Sequence, residues 1–261
     1  MTSKKTFQTF RSWILFVLVV GLLWQLAAWI ANNPLILPSP LQVIAQMGQQ
    51  IRNPEFFLSV LFTLTRALSS LAISFVLALV FAFAGAFYPP LARQVNRLVS
   101  ILQTLPNVCY IILLLFWCSR DMAVILSGFF LLFPLIYRTL YEALLELIER
   151  WKAVWIVYPQ PKTVLAGKIC LPMLKPALMS ALKNASSLSF KVCVTSEILC
   201  SLSTGVGRQI QLDRFDLNLA GVIAWSLWLV LLVFGFEKLW DLLIAKMFAT
   251  SHQQHSRIDE K

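Results

Sequence analysis

Residues able to do chemistry are few in this chain and lie far apart. His252 and His255 are the only histidines, and both fall in a polar C-terminal stretch. The five cysteines, Cys109, Cys118, Cys170, Cys193 and Cys200, form no Cys-x-x-Cys pair, and four of them sit in apolar runs. A thiol there behaves as a small buried hydrophobe, so neither a metal site nor a disulfide framework is expected. No catalytic group stands out either. Two ionisable residues do: Lys191 and Glu197, which interrupt the apolar run 177–200 together with Lys183. A charge placed in hydrocarbon costs about 2.5–3.5 kcal/mol on insertion scales, so such groups face a bundle interior or a water-filled path. Six positions on a helix of ~3.6 residues per turn put the two about 240° apart. They cannot pair within one helix, and each is expected to find a partner on another span, in a second subunit or in a path. For Glu197 the bland alternative is hydration near the end of its helix.

The elements that would hold these residues follow from composition. The chain has 261 residues, 59% hydrophobic and 13% charged, where a soluble domain averages about 45–50% apolar and about 25% charged. Its mean hydropathy is +0.75. One soluble domain of this size cannot hide that much apolar surface. The composition predicts an all-α membrane protein. A span needs roughly 20 apolar residues, and six segments qualify: 13–31, 67–92, 98–119, 122–137, 177–200 and 217–236, the last running on to Ala245. The fourth is short and the fifth is the polar one. Tyr88-Pro89-Pro90 stops the second, and Pro106 lies inside the third. The first is too long for the 7–15-residue core of a cleaved signal, so it reads as a retained span.

Basic residues set the orientation. With the N-terminus inside, fourteen of the 22 Lys and Arg fall in inside segments and four in outside ones. Both termini are therefore expected to be cytoplasmic, with short tails at 1–12 and 247–261 flanking a membrane domain at 13–246. The net charge of +10 reads as this bias and as attraction to anionic lipid, not as a nucleic-acid footprint. After the first span, Ser39 can cap a helix that begins at Pro40. Leu41, Val43, Ile44 and Met47 suggest that this helix lies at the interface, packing without a further role.

The longest loop, about 138–176, is inside. It begins as an amphipathic helix with Glu142, Glu146 and Glu149 on one face. Trp151, Trp155 and Ile156 follow, then the break Tyr158-Pro159-Gln160-Pro161, then a short helix over 163–170 that ends at Leu171-Pro172. The segment is too apolar for a free linker and too charged to span. Its aromatic residues suit an anchor in a partner's groove, or else sit at the lipid interface.

In order and spacing these pieces resemble the permease subunits of binding-protein-dependent ABC importers, most closely the nitrate, taurine, sulfonate and pyrimidine-precursor group. The resemblance rests on Leu37-Pro38-Ser39-Pro40, Leu105-Pro106, Phe133-Pro134, the loop ending Ile169-x-Leu171-Pro172, and Ser196-Glu197-Ile198-Leu199 followed by Gly205-Val206-Gly207. It implies six spans with a coupling loop between the fourth and fifth. It also implies a permease dimer, two separate ATP-binding subunits and an extracytoplasmic solute-binding protein, in a bacterial inner membrane. Coupling would fall to Trp151, Trp155, Tyr158, Pro159, Pro161, Leu171 and Pro172, and the substrate path to Lys191 and Glu197. One departure stands out. Where the family's loop has Glu-Ala-Ala and then a Gly, this chain has Ala153-Val154-Trp155 and Pro159, which implies a modified docking surface.

The chain has no Gly-x-x-x-x-Gly-Lys-Ser/Thr phosphate loop. It is expected to bind no cofactor and to be no enzyme, with ATP used by the partner subunit. The alternative is an ion-gradient-driven secondary carrier. Such carriers often show internal repeats and broken helices; no repeat is found, and Gly numbers only 9. A membrane enzyme acting on lipid would need clustered His, Asp or Cys near one interface, which the sequence lacks. The 9 Trp and 19 Phe fit an aromatic-lined path for a planar heterocycle but equally fit interfacial belts.

Overall fold

The computed structural model describes the backbone of residues 2–256 and the side chains of residues 15–242 except Val17. The polar tail with His252 and His255, and the first residues of the N-terminal tail, lie outside the described side chains. Eleven helices follow one another, with no strand among the described residues: α1 (Thr2–Ala31), α2 (Pro40–Arg52), α3 (Pro54–Phe87), α4 (Pro89–Thr104), α5 (Asn107–Trp117), α6 (Arg120–Arg150), α7 (Lys152–Val157), α8 (Lys162–Met173), α9 (Lys175–Leu199), α10 (Val206–Phe215) and α11 (Leu219–Ser256).

Local chemistry fixes most of the boundaries. Ser39 caps α2 through a capping box: its hydroxyl accepts from the Gln42 amide, and the Gln42 side chain accepts from the Ser39 amide. Pro40 occupies the first turn, where a missing N–H costs nothing. Asn53 caps α3 ahead of Pro54, and Ser119 caps α6. Val43 is buried while Leu41 and Ile44 are exposed, so α2 packs by the opposite edge of the apolar stripe that the sequence shows.

Among the described residues, three helices are long and apolar enough to cross a membrane: Pro54–Phe87, Arg120–Arg150 and Leu219–Leu242. Two bent pairs raise the number to five if each is one span. The span expected over 98–119, with Pro106 inside it, is sharply bent there. Pro106 has no N–H, and it drives Leu105 out of the helical region to φ −77°, ψ 129°. As a result α4 and α5 meet at 101°. The short fourth segment, 122–137, is part of a 31-residue helix that runs through the three glutamates to Arg150. The loop helix expected over 163–170 extends over Lys162–Met173, with a widened turn at Leu165–Cys170. It meets α9 at 64°.

The α3 side of the core is built mostly from small residues. The buried face of α3 carries Ser59, Thr63, Ala67, Ser70, Ser74, Ala78, Ala82 and Gly85 at three- and four-residue steps. The same helix exposes Leu58, Leu61, Leu68, Ile73, Val76 and Val80. Large apolar groups outside and small ones inside suit a helix that packs closely on its neighbours while facing lipid. α6 packs most closely on α3. A Cβ added at Gly128 would come within 2.8 Å of the Ser70 side chain, and Ser70 and Ser74 return their hydroxyls to their own helix backbone. Below this contact, Tyr137 and Tyr141 stack at 5.4 Å against the apolar core around Leu140 and Leu144.

Because the Ser70 wall cannot recede without moving α3, Gly128→Ala overpacks the contact, at about 1–3 kcal/mol. The expected result is a lower melting temperature for the detergent-solubilised protein. Gly48→Ala, at a glycine with open space around it, leaves the melting temperature unchanged or raises it.

Candidate functional site

Glu197, in the last turn of α9, has no exposed surface. A carboxylate in that position must be surrounded by donors, and it is. Its Oε1 accepts from Arg66 Nη1 of α3 at 2.8 Å. Its Oε2 accepts the backbone N–H of Gly207 at 2.9 Å. The Thr63 hydroxyl, one turn before Arg66, reaches both oxygens at 3.0 and 2.9 Å and accepts in turn from the Val206 amide at 2.9 Å. Arg66 is itself satisfied on every side. Its Nε donates to Asp121 Oδ1 at 2.9 Å and its Nη2 lies 2.7 Å from the same oxygen. Nη1 and Nη2 also donate to the carbonyl and hydroxyl of Thr204 at 3.0 and 2.9 Å.

The result is an ionic clamp joining four elements: α3 through Thr63 and Arg66, α6 through Asp121 in its first turn, α9 through Glu197, and the turn into α10. One turn away, Ser127 of α6 and Ser196 of α9 share a hydrogen bond of 2.7 Å. Arg120 Nη1 donates to the Ser201 carbonyl at 2.9 Å across the same end of the bundle. The clamp also accounts for the Gly205-Val206-Gly207 sequence. Gly205 has φ +113°, and a Cβ there would sit 2.7 Å from both Glu197 oxygens and 2.8 Å from Arg66 Nη1. At Gly207 a Cβ would be 2.5 Å from the Glu197 Cβ. No side chain fits at either position while the carboxylate occupies its nest.

Lys191 is placed quite differently. It is exposed on α9 and lines a shallow, mostly apolar cavity of about 280 Å³ with Phe190, Leu229, Val233, Phe234 and Glu237. The structure does not bring Lys191 and Glu197 together. Lys183, further along the helix, pairs with Asp241 of α11 at 2.6 Å.

At the opposite end lies the segment with Trp151, Trp155, Tyr158, Pro159, Pro161, Leu171 and Pro172. Trp151 sits at the joint between α6 and α7. Trp155 is half-buried and packs on the main core. Ile156, Val157 and Tyr158 are 73%, 67% and 68% exposed, an unpartnered apolar surface beside the rigid Pro159-Gln160-Pro161 turn. Pro172 and Pro176 flank Leu174, which is buried at the bend into α9. Lys162 Nζ donates to the Phe87 carbonyl at 3.4 Å, which ties α8 to the end of α3. Glu146 pairs with Arg150, and Glu149 with Lys152, so two of the three loop carboxylates are locally neutralised.

Sequence reasoning missed Arg66, Asp121, Thr63 and Thr204. A search for charge-free stretches set Arg66 one residue outside the 67–92 window. The signal was present in its register: Arg66 falls on the same face as Thr63, Ser70 and Ser74.

Removing one member of a buried pair leaves an uncompensated charge, at about 3–5 kcal/mol. The two ends of this pair are unequal, because Arg66 keeps Asp121 when Glu197 is lost. Arg66→Met is therefore expected to lower the melting temperature and membrane abundance more than Glu197→Met. The double variant is expected to lose less than the two singles together.

No family model matches the chain. Among curated proteins, it is 23% identical over 227 residues to the putative ABC transporter permease protein MJ0413 of Methanocaldococcus jannaschii, covering 77% of this chain and 79% of that protein. It is 22% identical over 188 residues to the formylaminopyrimidine transport permease protein ThiX of Halalkalibacterium halodurans, covering 71% and 74% respectively. Both matches span most of each partner, so over most of its length this chain is similar to two ABC transporter permeases.

Proposed function

We propose that this permease subunit serves an ATP-driven importer, as the membrane path for a small solute delivered by an extracytoplasmic binding protein. Similarity to two ABC transporter permeases supports a multi-pass membrane protein with ATP-binding subunits as partners. In the finer reading α1, α3, α6, α11 and the two bent pairs give six spans with cytoplasmic termini in a bacterial inner membrane. Fourteen basic residues against four support that orientation. Two copies of the chain would enclose the path between them, with Lys191 a candidate to line it. The chain itself would bind no cofactor, ATP being used in the partner subunits. The homology favours this reading over a gradient-driven carrier. The sequence resemblance would put the solute among nitrate, taurine, sulfonates and pyrimidine precursors.

The observation that carries the proposal is the coupling segment. α7 and α8 form a compact step between two span-length helices. They expose Ile156, Val157 and Tyr158 at its tip, while Trp155 grips the core behind it. A push on that tip is passed to α6 through Trp151 and to α9 through Leu174. At the far end the clamp joins α3, α6 and α9, so the three would move as one body and open the path alternately to each side. Glu197 in this account holds the body together and does not touch solute.

Purification with the ATP-binding subunits tests the docking role. The wild-type chain is expected to copurify with its ATPase as two permeases and two ATPases. The Ile156→Ser/Tyr158→Ala double variant is expected to lose the ATPase while keeping its melting temperature. Full ATPase stoichiometry and normal ATP-dependent uptake in that variant would make these side chains lipid anchors.

A further inference from the structure

At the end of the bundle that carries the clamp, α2, α3, α10 and α11 enclose a polar cavity of about 270 Å³. Ligand pockets run to roughly 300–1,000 Å³, so this one suits a small solute. We infer that the cavity binds a small organic solute bearing an amino group, held by acceptors of this chain. The inference rests on the importer reading for the side from which the solute arrives.

The lining is one-sided in charge, while its carboxamides offer both donors and acceptors. Four glutamines contribute, Gln46, Gln49 and Gln50 from α2 and Gln209 from α10, together with the carboxylates of Glu55 and Asp213. No Lys, Arg or His is among the described residues of the wall; Arg208 lies in a neighbouring cleft that shares Glu55 and Gln209. Gln50 is nine-tenths buried. Its Nε2 donates to the Gly221 carbonyl at 3.2 Å, and its Oε1 has no hydrogen-bond partner among the described residues. A buried carboxamide oxygen without a donor is costly, and a solute N–H would satisfy it.

Asp213 is held rather than free. Asn218 Nδ2 donates to it at 2.7 Å. Gly221 packs so closely that a Cβ there would collide with the carboxylate and with Asn218. Burial pushes the Asp213 carboxyl above its usual range, partly offset by the Asn218 hydrogen bond. Fixed acceptors that cost nothing to organise favour a matching donor. A bare anion such as nitrate or a sulfonate would instead meet two carboxylates and no cation.

The test uses the permease–ATPase complex in lipid nanodiscs, without binding protein, titrated calorimetrically with 4-aminopyrimidine, nitrate and methanesulfonate. We expect saturable binding of 4-aminopyrimidine at one per permease and none of the two anions. A charged acceptor is worth about tenfold or more, so Asp213→Asn should weaken binding at least tenfold. Glu55→Gln, at an exposed position with no structural load, should weaken it less. The inference is overturned if 4-aminopyrimidine shows no saturable binding to a complex that still holds its ATPase. It is also overturned if both variants bind as well as wild type, or if an anion binds better. Retention of the ATPase reports on the permease reading separately, so the two can fail independently.

Discussion

The structure depends on a carboxylate placed where water cannot reach it. Glu197 is fully buried, and a charge in that position is tolerable only if every oxygen is met by a donor. Arg66, Thr63 and the Gly207 amide meet it. Each donor imposes its own demand. Arg66 needs further acceptors, which brings in Asp121 and Thr204. The Gly207 amide needs the backbone to pass over the carboxylate, which excludes side chains at 205 and 207. One charge thereby fixes the relative positions of α3, α6 and α9 and the path of the chain between α9 and α10.

The rest of the bundle is consistent with that constraint. Serines, alanines and glycines on the inner face of α3 let α6 approach until Ser70 touches Gly128. Van der Waals contact and hydrogen bonds drive helix association in lipid, where no hydrophobic gain remains between spans. The clamp at one end and the Tyr137–Tyr141 stack toward the other make this unit stiff along its length. The 151–173 segment has few buried groups by comparison. It is held mainly by Trp155, Leu174, Cys170 and the Lys162 contact with Phe87. A stiff body with a small, exposed handle is what a motion delivered from outside the membrane requires.

Much of this was readable from residue order. Apolar runs, Ser39 with Pro40, and the stop at Tyr88-Pro89-Pro90 marked helices and a helix end where they are found. For Glu197 the sequence left two readings, a partner on another element or hydration near its helix end, and the structure shows the first. The identity of that partner was not legible, because pairing across 131 positions leaves no local trace and Arg66 lies at the margin of its own apolar run. The kink at Pro106 was visible as a proline, but its 101° angle depends on α4 packing flat against α3 and α6. Likewise Trp151, Trp155 and Tyr158 looked alike in sequence. Only packing separates the hinge, the internal grip and the exposed tip.

As proposed, α3, α6 and α9 move as one body while the path opens and closes. A crosslink within that body tests it. Ser127 and Ser196 touch across α6 and α9, so a Ser127→Cys/Ser196→Cys pair, in a background with the five native cysteines replaced, can be oxidised to a disulfide. ATP-dependent uptake into proteoliposomes is then measured with the disulfide formed and again after reduction. The account predicts the same uptake in both states. Loss of uptake on oxidation, restored by reductant, would mean that the two helices separate during transport and would contradict it.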